Sequence, residues 1–133
     1  MSTPLLVTAS IIIKNDKILL VKRTKEPFKG KWSGIGGVGA FGEFSNPLES
    51  IKKEVLVDIG CEFEGKFFDY NYELFKVPTV TLFFLGSIKG IPRPNLTQCS
   101  EVRWFSKEEI LKMDLAFDHN LILKKYFNKV NKN

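Results

Sequence analysis

KKEVLVDIGCEF, Lys52 to Phe63, is the stretch on which the reading of the whole chain turns. Glu54 and Asp58 lie four residues apart, so on a helix their side chains share a face. The helix itself is well marked. Asn46 is placed to cap its N-terminus, Pro47 suits the first helical position, and Glu49 follows three residues after the cap. Gly60 suits the C-terminal stop. Leu48, Ile51, Val55 and Ile59 recur at helical spacing and predict one buried stripe over Pro47 to Ile59, with Glu54 and Asp58 on its flank. Val57 falls nearly opposite the stripe, where a polar residue belongs.

Working outward, the segment before this helix is rich in glycine. Gly34-Ile35-Gly36-Gly37-Val38-Gly39 matches the letters of G-x-G-x-x-G. That fingerprint needs a strand directly before it and a helix opening from it. Here the nearest predicted strand ends at Val21 and the next helix starts about eight residues after Gly39, so a dinucleotide site is rejected. No G-x-x-x-x-G-K-[ST] run is present either. Glycine loop and acidic helix together suggest something else. Glycines let a backbone approach a ligand closely, and carboxylates with backbone carbonyls are the hard oxygen ligands of Mg²⁺ or Mn²⁺. The pair points to phosphate chemistry with a divalent cation.

The remaining elements predict an α/β (α+β) domain. Leu5–Ile13 and Ile18–Val21 read as strands joined by a turn at Lys14–Lys17, and Thr24–Lys31 as a loop with Pro27 and Gly30. Glu62–Glu73 and Thr79–Lys89 read as two further strands, connected through Leu74–Pro78. Ile91–Ser100 is a loop and Glu101–Phe105 a short strand. Ser106 and Glu109 form a second capping box, and Asp118 caps a last helix with Ile122, Tyr126, Phe127 and Val130 on one side. Helices interspersed with strands predict a mixed sheet packed between helices.

Bulk properties narrow the partners. The 133 residues, 44% hydrophobic and 26% charged, suit a single globular domain over 1–133 with a sizeable core. Cys61 and Cys99 are too few for a disulfide framework and match no zinc spacing, so buried free thiols in a reducing cytoplasm are expected. The start lacks a basic leader pattern, and no apolar run nears the ~20 residues of a membrane helix. The net charge of +5 suits an anionic partner. Much of the excess lies in the tail KKYFNKVNKN, and no recognition motif accompanies it, which argues against nucleic acid as the partner.

At this point the residues resemble the Nudix (MutT-like) hydrolase family, whose pattern is G-x5-E-x7-R-E-U-x-E-E-x-G-U, with U a bulky aliphatic. Gly37, five residues and Glu43 match its first part, and Lys53 to Cys61 resembles its second. LLVKR, then KWSGIGG, then the box, then EVRWFSKEEI follow the family order, so the resemblance covers about residues 5 to 127. It implies an α/β/α sandwich with a mixed sheet between helices. It also implies Mg²⁺- or Mn²⁺-dependent hydrolysis of a nucleoside diphosphate linked to another group. Glu54 would be a metal ligand or the base that activates water. Asp58 and the Gly37 carbonyl would be further metal ligands, and Glu43 would support them. Lys53 would orient the acids, Arg23 would contact a substrate phosphate, and His119 with Asn120 would face the base or sugar. A homodimer is compatible with the family.

The sequence also departs from the pattern. Nine residues, not seven, separate Glu43 from Lys53, and Lys53 stands for Arg. Val57 stands for the first Glu of the pair, Asp58 for the second, and Gln98 where a further glutamate often lies. These changes keep open a Nudix fold that binds a nucleotide without cleaving it. ADP-ribose, another sugar nucleotide and an ordinary or oxidised (deoxy)nucleoside triphosphate all remain open as substrates. The segment LAFDHNLIL inclines the reading to ADP-ribose.

Overall fold

The computed structural model describes residues 4–38 and 46–131. Two strands open the chain, β1 (Leu5–Lys14) and β2 (Lys17–Arg23), joined by a turn in which Asn15 and Asp16 both take positive φ. Short, polar side chains tolerate that conformation. Next come β3 (Trp32–Ser33) and β4 (Gly36–Val38), then helix α1 (Pro47–Ile59). A long hairpin follows, β5 (Glu62–Phe75) with β6 (Val77–Lys89), then β7 (Cys99–Ser106) and helix α2 (Lys107–Leu111). A 3-10 turn at Ala116–Asp118 leads into α3 (His119–Asn131).

The strands form a mixed sheet in the order β3-β2-β1-β6-β5, with β4 also paired to β1 and β7 to β2. β1 and β6 run parallel from Leu5↔Thr79 to Ile12↔Gly86, while β5 and β6 are antiparallel throughout. Alternation along the strands splits the core into two layers. Ile11, Ile18, Leu20 and Phe83 pack with Ile122, Leu123 and Phe127 of α3. Ile12, Leu19, Val21 and Phe84 pack with Ile51, Val55 and Ile59 of α1. Period-two strands thus serve both faces, as a sheet covered by helices on each side requires. This is the expected α/β/α sandwich.

The capping signals of α1 act as expected. Asn46 accepts from the Glu49 N–H at 2.9 Å, and Gly60 at φ 71° donates its N–H to the Leu56 carbonyl. The capping box of α2 is likewise present in both directions, Ser106 N–H to Glu109 and Glu109 N–H to Ser106.

Several expectations are corrected. The glycine segment is not all loop, because β4 pairs with β1 through Val7↔Val38 and Ala9↔Gly36. The connection expected at Leu74–Pro78 shrinks to Lys76, whose φ is 61°. Asp118 does not cap α3 in the extended conformation an N-cap adopts; it closes the 3-10 turn at φ 56°. On α3, Leu123 takes the buried place expected of Val130, which is 49% exposed. Phe67 on β5 is 53% exposed and edge-on to Phe84. Cys61 and Cys99 are both free and buried, as the sequence suggests.

Candidate active site

The site lies where α1 faces the glycine strand. Glu54 and Asp58 project from one side of the helix toward Gly36 and Gly37. A Cβ placed on Gly37 would collide with the Glu54 carboxylate, so a side chain there would displace that carboxylate from the strand. Gly34 is tight for a second reason. A Cβ there would stand 2.7 Å from the Ser10 carbonyl, whose residue ties the segment down by Ser10 N–H to Ile35 O at 2.8 Å.

Between helix and strand is a cavity of about 110 Å³. At ~30 Å³ per liquid water, that is room for a partly hydrated cation or one phosphate group. Ser33 to Gly36 form one wall, and Glu54 and Asp58 another. Arg23, Thr24 and Lys25, leaving β2, and Gln98 from the loop before β7 complete the rim.

The electrostatics of the two acids are unusual. Asp58 is only 8% exposed, and its Oδ1 is buried with no hydrogen-bond partner among the described residues. Burial, and then the neighbouring Glu54 charge, push its carboxyl up to about 7, with Lys25 pulling the other way. Burial also raises Glu54, opposed by Lys53. An orphaned carboxylate oxygen beside a second carboxylate is costly in a metal-free protein. It is the arrangement that a divalent cation relieves, so the residues fit the metal that the pattern implies. Among the described residues no group of three or more His, Cys, Asp or Glu converges to hold a metal. Glu43 lies outside the described residues.

Lys53 is exposed and acts on Glu54 through its charge. Val57 is 41% exposed and does not line the cavity. Arg23 reaches the rim, but its guanidinium donates to the Pro27 carbonyl at 2.8 Å and the Lys25 carbonyl at 3.3 Å, and lies 4.6 Å from the Phe117 ring centre. His119 and Asn120 do not line the cavity. The His119 ring is buried, accepts from the Gly34 N–H at 3.1 Å through Nδ1, and packs edge-on against Phe83. Burial, with Arg23 nearby, holds its pKa down at about 4, so it sits neutral beneath the glycine strand. Asn120 accepts from Leu115 N–H and donates to the Met113 carbonyl, which fixes the turn into α3.

Asn95 carries a role that the sequence reading missed. The last carbonyls of α1 have no partners within the helix. Asn95 N–H donates to Asp58 O at 2.8 Å and its Nδ2 to Val57 O at 3.0 Å, while Arg93 N–H donates to Ile59 O. The loop therefore clamps the end of the helix that bears Asp58. Its Oδ1 also accepts from Thr97, and its carbonyl from Gln98 N–H, so the clamp extends to the cavity rim. An Asn after Pro92 and Pro94 is the only signal of this in the sequence.

Comparison with known proteins now decides the family, because the NUDIX domain matches residues 4–126. The chain belongs to the NUDIX family. Among solved structures, the MutT NUDIX hydrolase from Burkholderia pseudomallei is similar with a TM-score of 0.80 at 21% identity, over 92% of this chain and 98% of that one. The NUDIX domain of Shewanella oneidensis NrtR, complexed with ADP ribose, also gives 0.80 at 19% identity, over 98% and 90%. A bifunctional NMN adenylyltransferase/ADP ribose pyrophosphatase from Francisella tularensis, complexed with AMP and a Mn ion, gives 0.73 at 16%, over 97% of this chain and 42% of that one. At these identities the likeness is one of fold. No curated protein gives a significant match. No helix among the described residues is long and apolar enough to cross a membrane.

Proposed function

We propose that this Nudix protein is a divalent-metal-dependent pyrophosphohydrolase acting on a nucleoside diphosphate linked to another group, with ADP-ribose or a related sugar nucleotide the favoured class. The observation that carries this is the buried, partnerless Asp58 Oδ1 beside Glu54 in a cavity of phosphate size. The ADP-ribose complex of the similar NrtR domain supports the substrate class. Glu54, Asp58 and the Gly37 carbonyl would hold Mg²⁺ or Mn²⁺, with Glu43 in support. When bound, the cation neutralises phosphate charge and lowers the pKa of water. Where it does not itself bind the cation, Glu54 would take the proton of the attacking water. Water bonds to one phosphorus, the anhydride P–O bond breaks, and two phosphate monoesters leave. Lys53 holds the charge balance at Glu54.

A second reading has its own support. Val57 occupies the place of a pattern glutamate, and two acids hold a cation less firmly than three. On this reading the site binds a nucleotide and does not cleave it. One experiment separates the two. Phosphate release is measured over a panel of ADP-ribose, sugar nucleotides and nucleoside triphosphates with Mg²⁺ or Mn²⁺, adding phosphatase where a monoester is formed. Release that disappears in Glu54→Gln is expected. Folded wild type that releases nothing, yet is stabilised by a panel nucleotide, would move the protein to the second reading. Unchanged release in Glu54→Gln would remove Glu54 from the chemistry.

A further inference from the structure

Family resemblance gives the phosphate contact to Arg23, but the geometry around Arg23 points elsewhere. Its guanidinium is turned back into its own loop. Nε donates to Pro27 O, one terminal nitrogen to Lys25 O, and the plane lies against Phe117. Its backbone closes the same loop, Arg23 N–H to Lys31 O and Gly30 N–H to Arg23 O, both 2.9 Å. Two of its five N–H donors are committed to its own loop and its guanidinium stands over Phe117, so residues 23–31 fix where the group points. Burial lowers its pKa, as expected of a cation with reduced solvent access.

The staple presents a different cation. Lys25 is exposed, lines the cavity, and its charge is felt at Asp58. Thr24, beside it, donates to Gln98 O at 3.2 Å and joins this loop to the opposite rim. We infer that Lys25 is the side chain that grips the substrate's diphosphate at the cavity mouth, and that Arg23 is the positioning residue that holds Lys25 there. This rests on the nucleotide-diphosphate reading above, but not on turnover. A lysine suits the task as a point charge on a flexible stem, able to follow a phosphate. At the metal-free site its charge also offsets that of Asp58, which would otherwise repel an incoming anion.

The test measures binding of α,β-methylene-ADP, a diphosphate with no cleavable bridge, in the presence of Mg²⁺. Wild type is compared with Lys25→Met, Lys25→Arg and Lys29→Met. Lys29 is an exposed lysine of the same loop that does not line the cavity, so it controls for net charge. Lys25→Met is expected to raise Kd about tenfold, ~1.4 kcal/mol, with Lys25→Arg within roughly threefold and Lys29→Met unchanged. Lys25 is exposed, so its variants should keep the wild-type Tm. Equal affinity in Lys25→Met and wild type overturns the inference, as does an equal loss in Lys29→Met or no binding by wild type. Selective loss in Lys25→Met, with no substrate of the panel released by wild type, would leave Lys25 in place and remove the hydrolase.

Discussion

Val57 poses the sharpest question at the scale of one residue. It is a β-branched apolar side chain, 41% exposed, three residues from Glu54 on a helix whose buried stripe is already complete. Nothing in the core requires it. Replacing it with glutamate improves helix propensity by a few tenths of a kcal/mol and adds an oxygen ligand near the acidic pair. In metal-free protein the new charge stands beside Glu54 and is unfavourable. With Mg²⁺ the sign reverses. Val57→Glu is therefore expected to have a Tm at or below wild type in EDTA and a larger Mg²⁺-induced rise in Tm. Any turnover should rise with it, since each ~1.4 kcal/mol of transition-state stabilisation is tenfold in rate. An unchanged Mg²⁺ response, with the fold intact, would show that the missing carboxylate does not limit the site.

At the scale of elements, α1 was legible because every signal on it agrees. Cap, proline, stripe and stop are local, and the structure keeps each at its predicted residue. The glycine segment was not, because β4 is specified by its partner β1 and by the approach of Glu54, neither of which appears in local sequence. For the same reason the tertiary uses of His119 and Asn120 were hidden. Both bond across to backbone that local sequence does not reveal: His119 to Gly34, and Asn120 to the turn before its own helix. The clamp on α1 by Asn95 is also of this kind, and it yields a prediction. Asn95→Ala removes the donor to Val57 O and the acceptor for Thr97. A net hydrogen bond contributes ~0.5–1.5 kcal/mol, so a loss of about 1–2 kcal/mol and a Tm lower by several degrees are expected. Asn95→Asp keeps the acceptor but points a carboxylate at the negative end of the helix. It should unfold at a lower temperature than Asn95→Ala near neutral pH. The opposite order would mean that the Val57 carbonyl contact contributes little.

At the scale of the whole molecule, the site's electrostatics are linked to the stability of the fold. Asp58 is a carboxyl with a pKa of about 7 folded and near 3.8 unfolded. Between those values the folded state holds a proton that the unfolded state has released, so metal-free stability falls as pH rises through that window. His119 acts in the opposite direction. Its pKa is about 4 folded and near 6.5 unfolded, so it contributes stability that is full above ~6.5 and lost as pH falls toward 4. The two trends overlap and partly cancel in the wild-type curve. Asp58→Asn separates them, because His119 contributes to both proteins alike and drops out of their difference. The Tm of Asp58→Asn minus that of wild type, in EDTA, is expected near zero or negative at pH 4 and increasingly positive toward pH 8. Saturating Mg²⁺ at pH 8 should shrink or invert the difference, because only wild type keeps the ligand that gains from the cation. A difference flat with pH would show that Asp58 titrates normally and is not strained by its burial. The site would then lose the feature that most strongly ties this helix to a metal.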